Sequence, residues 1–345
     1  MNREQLELEI ERIVHPYGKD KPNLVLTIGV FKDGRRHMVV TTSLEPWKSA
    51  QPDKILYEIG SITKVFTATL LVKSIADHKT SLDDSITQYL PDLANNPSLV
   101  KHPITLRQLT THTSGLPSLP IKFLLKLLLS DKVRQNPYQS FTENDLLAFL
   151  QRYRARPPHI RKFRYSNLGA GLLGHILAKM YQDSFEQAMQ KEICRPLGLE
   201  NTMITCTDEQ KKRLVPGFDE KNRPASNWTF HSLAGAGALR STVSDLLTFL
   251  EHHLEDGKGP LKGMLSQTHE VLHDDGKGLA IGMNWLIDKR SHFIWHNGGT
   301  GGYSSFLWFH KGKKTGVVVL SNYASPPGSS PIDEMGFVLL NRLCS

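Results

Sequence analysis

Ser61 and Lys64 stand three residues apart at the front of an apolar run without glycine, within EIGSITKVFTATLLV. On a helix, residues three apart share a face, so a hydroxyl and an amine would meet on its first turn. That turn lies at the positive end of the helix dipole, where developing negative charge is stabilised. A serine hydroxyl is a weak nucleophile until a base takes its proton, and a neighbouring amine can be that base. Acyl transfer also needs a second proton-relay group and donors for the oxyanion. Two distant segments supply candidates, Tyr165-Ser166-Asn167 and His296-Asn297-Gly298-Gly299. Tyr-x-Asn is selective, because Tyr165 is the only one of nine tyrosines with Asn two residues on. His296 ends an apolar strand pattern and opens HNGGTGGYSSF, whose glycines let a strand edge approach a ligand closely.

Similar patterns elsewhere read differently. Ser98 and Lys101 repeat the serine–lysine spacing but lie between Pro97 and Pro103, which predicts a surface loop. Lys314-Thr315-Gly316 and Lys32-Asp33-Gly34 sit between strand patterns and read as hairpin turns.

The elements that must position these residues follow from periodicity. Leu6, Ile10, Ile13 and Val14 form one face of an amphipathic N-terminal helix. Residues 24–31 and 37–42 read as a hairpin around Asp33-Gly34. The helix behind Ser61 is apolar almost all the way round (Val65, Phe66, Ala68, Leu70, Leu71, Val72, Ile75), so it belongs inside a core. Further helices are expected over 141–153, 168–180, 185–193 and 243–253. The last quarter reads as strands over 279–287, 292–296, 303–310 and 316–322, closed by a helix over 332–343.

Strands at both ends with helices between them predict an α+β fold. Its antiparallel sheet is assembled from both termini and flanked by the terminal helices, with a mostly helical lobe inserted. The expected division is a sheet lobe from 1–80 and 270–345, a helical lobe from 81–269, and the site between them. Two segments have a double reading. IKFLLKLLL, residues 121–129, is expected to pack on the core, with a flap at an apolar substrate entrance or a membrane surface as the alternative. The six cations between Arg152 and Arg164 read as a solvated loop, or as attraction for an anionic substrate group.

Composition excludes several classes. A chain of 345 residues that is 39% hydrophobic and 22% charged can build a large core. The net charge of +8 is scattered, without a nucleic-acid-binding motif, so no nucleic acid partner is expected. Three cysteines without metal spacing argue against a disulfide scaffold or a metal site. The charged N-terminus does not read as a signal peptide, and no run is long enough to span a bilayer, which predicts a cytoplasmic protein unless a leader precedes this sequence.

With these motifs in hand, the chain resembles the serine β-lactamase and penicillin-binding-protein superfamily, in its class C-like branch. The resemblance runs over roughly residues 28–322 and rests on YEIGSITKVFTATLL, ITLRQLTTHTSGLP, FRYSNLGAGLLGHIL, RPLGLENT, GALRSTVSDLLTFL and HNGGTGGYSSF. It implies that Ser61 is the acylated nucleophile, with Lys64 and Tyr165 sharing its protons and Tyr165 activating water in deacylation. Asn167 would orient Lys64 and bind the substrate amide or ester, and His296 with Gly298 and Gly299 would line the strand side. The backbone N–H groups of Ser61 and Gly299 would form the oxyanion hole. No metal or organic cofactor is implied.

One fold hosts several activities, so the substrate stays open among small esters, amides, D-amino-acid peptides and β-lactams. His296 stands where class C β-lactamases usually carry lysine, which favours an esterase or D,D-peptidase-like hydrolase with weak β-lactam turnover. A dedicated class C-type β-lactamase is the alternative, and a non-catalytic penicillin-binding homologue is the alternative of another class. His112, in THTSGLP, is expected to be structural.

Overall fold

The computed structural model describes residues 3–255, 259–326 and 329–344. The antiparallel order of its main sheet is β2-β1-β10-β9-β8-β7-β6-β5, so strands from the two ends of the chain are direct neighbours. Helix α1 (Arg3–Gly18) precedes β1 (Val25–Lys32) and β2 (Arg35–Thr42), the hairpin turning at Asp33-Gly34 with both residues at positive φ. Two short strands, β3 (Tyr57–Glu58) and β4 (Arg240–Ser241), pair with each other away from the sheet. The rest of the sheet comes late: β5 (His273–Asp274), β6 (Leu279–Ile281), β7 (Leu286–Asp288), β8 (Ile294–Gly299), β9 (Ser304–His310) and β10 (Thr315–Ser321). β1 closes on β10 with Ile28 opposite Val319.

Both faces of this sheet are covered, which is why its strands read as continuous apolar runs. Leu26, Ile28, Trp308, Val317 and Val319 pack with Leu6, Ile10 and Val14 of α1 and with Leu339 and Leu340 of the closing helix. Leu307, Phe309, Val318 and Leu320 join the larger core on the opposite face. There Gly29 makes room for a helix over Val243–Leu254, since a Cβ would lie 2.5 Å from Val243 Cγ2.

Between β3 and β4 the chain is mostly helical. Its longer helices are α2 (Thr63–Ala76), α3 (Ile121–Leu129), α4 (Glu143–Arg152) and α5 (Asn167–Tyr181). They are followed by α6 (Val243–Leu254) and, after the last strand, α7 (Pro331–Cys344). α2 runs through the core, and Val65, Phe66, Ala68, Leu70, Leu71 and Val72 are fully buried on all sides.

Several expectations need correction. Ser98 and Lys101 lie on a short helix, Pro97–Lys101, not in a loop; Asn96 caps it by accepting from the Ser98 and Leu99 N–H groups. Proline at the first helical position is tolerated, and the prolines had hidden that. The strand expected over 279–287 is two strands, because Asn284 at φ +58 turns the chain between them. The helix begun at Phe185 continues through a π-turn, Gln190–Cys194. α3 is a helix that packs on the core as expected, through Phe123 and the half-buried Leu127, but its other apolar residues face solvent. Arg161 is not a solvated cation: it is buried and donates to the carbonyls of His102, Pro103 and Arg156 and to Gln108.

Candidate active site

Ser61 sits on a tight 3-10 turn, Gly60–Ile62, one step before α2 begins at Thr63, rather than inside the helix itself. That turn is held from both sides. The Ile59 N–H donates to Leu239 O beside β4, and Ser305 Oγ of β9 donates to Ile59 O. Beneath it, Glu58 pairs with Arg240 at 3.3 Å and accepts the Trp228 N–H, so the buried carboxylate is partnered.

The strand glycines explain the fit. A Cβ on Gly298 would lie 2.1 Å from Ile59 O and 2.9 Å from Ser61 N. Gly60, at φ +48, faces Gly299, whose N would be 2.6 Å from its Cβ. The end of β8 is thus pressed backbone to backbone on the nucleophile turn. Gly298 and Gly60 permit this contact, whereas a Cβ on Gly299 would touch only Tyr303 O at 3.8 Å.

Lys64 is fully buried, and Nζ lies 2.8 Å from Ser61 Oγ and 2.7 Å from Ala236 O. Among the described residues no carboxylate pairs with it, and burial holds its amine well below the usual lysine range. Lys64 Nζ also stands 4.8 Å from the centre of the Tyr165 ring, and the Tyr165 hydroxyl hydrogen-bonds with Ser61. Burial pushes the Tyr165 phenol up, only partly offset by its bond to Ser61.

Asn167 was expected to orient Lys64. Its amide nitrogen instead donates to the Tyr138 hydroxyl at 2.9 Å, and Lys64 spends its second bond on Ala236 O. Asn167 Oδ1 is buried and makes no hydrogen bond within the protein. Asn167 begins α5, capped by Ser166 through a bond from the Gly169 N–H, which fixes where both Tyr165 and Asn167 enter the site.

His296 is fully buried, 6.2 Å ring to ring from Tyr165. Nδ1 lies 2.6 Å from Asn297 O; a carbonyl only accepts, so Nδ1 carries the proton and Nε2 a lone pair. Burial first, then Lys64, depress its pKa to about 3, so the ring is neutral at ordinary pH. The side chain of Asn297 points the other way, to Asp333 of α7.

One residue at the site, Tyr138, escaped the sequence reading, and another, His112, was read there only as structural. Tyr138 holds Asn167 and stacks on Phe230 at 4.5 Å; only its aromatic character marked it. His112 lies 4.6 Å ring to ring from Tyr165 and accepts the Ser166 N–H, at a positive φ of 57°. It touches the wall of the site, so its role is positional as well as structural.

The chain therefore brings Ser61, Lys64, Tyr165, His296, Gly298 and Gly299 together, with Asn167 at the margin. Residues 10–336 match the model of the Beta-lactamase family. The chain belongs to that family. A beta-lactamase of Pseudomonas fluorescens is 25% identical over 92% of this chain and 93% of its own. The D-alanyl-D-alanine-carboxypeptidase/endopeptidase AmpH of Escherichia coli K12 is 27% identical over 76% of this chain and 69% of its own. A class C beta lactamase structure from Rhodobacter sphaeroides superposes with a TM-score of 0.79 at 25% identity, covering 99% of each chain. This family member is a serine hydrolase of the β-lactamase and D,D-peptidase type.

Proposed function

We propose that the protein hydrolyses a neutral ester or amide through an acyl-enzyme on Ser61. The observation that carries the proposal is the buried Lys64 amine, 2.8 Å from Ser61 Oγ and without a carboxylate partner among the described residues. Burial favours the neutral amine, and in that form Lys64 donates to Ala236 O and keeps its lone pair for the Ser61 proton. As Ser61 Oγ attacks the carbonyl, that proton passes to Nζ, and the C=O π pair moves onto oxygen between the Ser61 and Gly299 N–H groups. Collapse expels the leaving oxygen or nitrogen, which takes a proton from Tyr165, and Lys64 returns one to Tyr165. Water then repeats the sequence on the acyl-enzyme, its proton going to the Lys64–Tyr165 pair, and frees the acid and Ser61.

Substrate choice is argued from His296. Its neutral ring presents an acceptor at Nε2, so it is matched to a substrate N–H or O–H and offers no fixed cation to a carboxylate. This favours uncharged esters and amides over β-lactams and peptides ending in D-alanine, both of which carry a carboxylate. The relatives named as beta-lactamase and D-alanyl-D-alanine-carboxypeptidase support the second reading, turnover of those anionic substrates. A panel of p-nitrophenyl esters, D-amino-acid amides, D-Ala-D-Ala peptides and nitrocefin separates the two. Neutral esters should give the highest kcat/KM, and a higher value for nitrocefin or the peptides would reverse the choice. Ser61→Ala should lose both ester hydrolysis and covalent labelling by a fluorescent penicillin; full activity in that variant would remove Ser61 from the mechanism.

A further inference from the structure

α3 presents to solvent what a soluble helix normally hides. With successive residues about 100° apart, Ile121, Leu124, Leu125, Leu128 and Leu129 occupy one continuous arc opposite the buried Phe123. Ile121, Leu128 and Leu129 are 74%, 76% and 87% exposed, and these five are half of the ten exposed large hydrophobics among the described residues. Apolar side chains scattered singly need no explanation, but a contiguous stripe marks an interaction surface.

The charges beside the stripe say what kind. Lys122 and Lys126 are exposed along one edge of α3. Across a furrow of about 460 Å³ floored by Phe123, Phe141 and Phe149 stand Arg152 and Arg154, both exposed. Asp145 is the one carboxylate lining that furrow, against four cations. An apolar helical face flanked by Lys and Arg is the arrangement that lies in a lipid headgroup layer, leucines inward and cations toward lipid phosphate.

We propose that α3 and its basic flank dock this protein on an anionic lipid bilayer surface. The ends of the excursion place that surface beside the site. Ser118 O accepts the Leu168 N–H before α3, and Tyr138 accepts from Asn167 after it. α3 itself is roughly 14 Å long at 1.5 Å per residue, so bilayer contact would present the site to molecules held at the interface. The inference stands on α3 and its basic flank and does not depend on which substrate is cleaved.

The test is co-sedimentation of the full chain with vesicles of phosphatidylcholine containing about 30% phosphatidylglycerol, compared with phosphatidylcholine alone. The protein should pellet with the anionic vesicles, release as salt is raised, and bind the neutral ones more weakly. Leu125→Asp with Leu128→Asp should weaken binding at least about tenfold while hydrolysis of a soluble ester and the far-UV circular dichroism stay unchanged. Lys122→Glu with Lys126→Glu should abolish the preference for anionic lipid. Failure of the wild-type chain to bind, or equal binding by the leucine variant, would overturn the proposal. So would a lipid-free dimer in sedimentation velocity that the leucine variant converts to monomer, because the stripe would then serve a second copy of this chain.

Discussion

Gly298→Ala is the substitution that probes the join between β8 and the nucleophile turn most directly. Its new Cβ would lie 2.1 Å from Ile59 O and 2.5 Å from Ser305 Oγ. Restoring an ordinary contact of 3.4 Å to the carbonyl requires about 1.3 Å of separation. The proposed oxyanion donors, the Ser61 and Gly299 N–H groups, sit on opposite sides of that join, so the displacement opens the hole itself. Losing one such donor costs roughly 10²–10³ in kcat, and overpacking costs about 1–3 kcal/mol of stability. For a chain of this size that is a fall in Tm of roughly 2–6 °C. Gly299→Ala is the matched control: its Cβ meets nothing nearer than 3.8 Å and its φ is not positive, so both kcat and Tm should stay near wild type. Steady-state hydrolysis of a p-nitrophenyl ester and thermal denaturation of both variants decide the matter. A Gly298→Ala enzyme with wild-type kcat, or a Gly299→Ala enzyme equally impaired, refutes the reasoning.

Lys64→Met keeps the volume but removes the proposed base, so kcat should fall by about 10²–10⁴ with folding stability equal or higher, because a desolvated amine is gone. The depressed amine makes the unfolded chain the better proton binder, so wild-type stability should rise with pH toward the ordinary lysine range, and this slope should flatten in Lys64→Met when measured by urea denaturation. His296 is neutral in the fold down to about pH 3 and titrates near its ordinary value when unfolded; stability should therefore fall as pH drops from about 6.5 toward 3, by up to about 1.4 kcal/mol per pH unit, and His296→Gln should remove that contribution. The pH–rate profile for a neutral ester should show no step attributable to His296 between pH 5 and 8 (roughly the range of an ordinary imidazole). Arg161→Ala leaves three backbone carbonyls short of a buried donor and should cost about 2–5 kcal/mol, whereas Arg164→Ala, at an exposed position, should change Tm little.

The sequence disclosed most where one physical requirement selected the residues. α2 was legible because a helix apolar on every side has only one place to go, and β1 and β10 because alternate residues feed cores on opposite faces. The three segments of the site were legible because each brings a chemical type the others lack. Illegible were matters of partnership. Apolar periodicity in α3 gives a helix but not its cover, and six cations between Arg152 and Arg164 do not say that Arg161 alone turns inward. Nothing in the composition of residues 279–287 announces that Asn284 leaves the strand to donate its amide to Lys64 O. The direction of the Tyr165 shift was also beyond reach, since it depends on how deeply the fold buries the phenol.

The carbonyl that receives Lys64 belongs to Ala236, on a turn seated against α5 where Gly235 and Gly174 approach within 2.8 Å of a would-be Cβ. Gly235 O on the same turn accepts from Thr67, one helical turn beyond Lys64. The surroundings of the active amine are therefore shaped in part by a turn of small residues that do not titrate. In a mutational search for altered pH optimum, heritable variation should collect at Gly174 and Gly235 as readily as at any ionisable side chain. Acid–base tuning in this enzyme would then evolve as a packing trait.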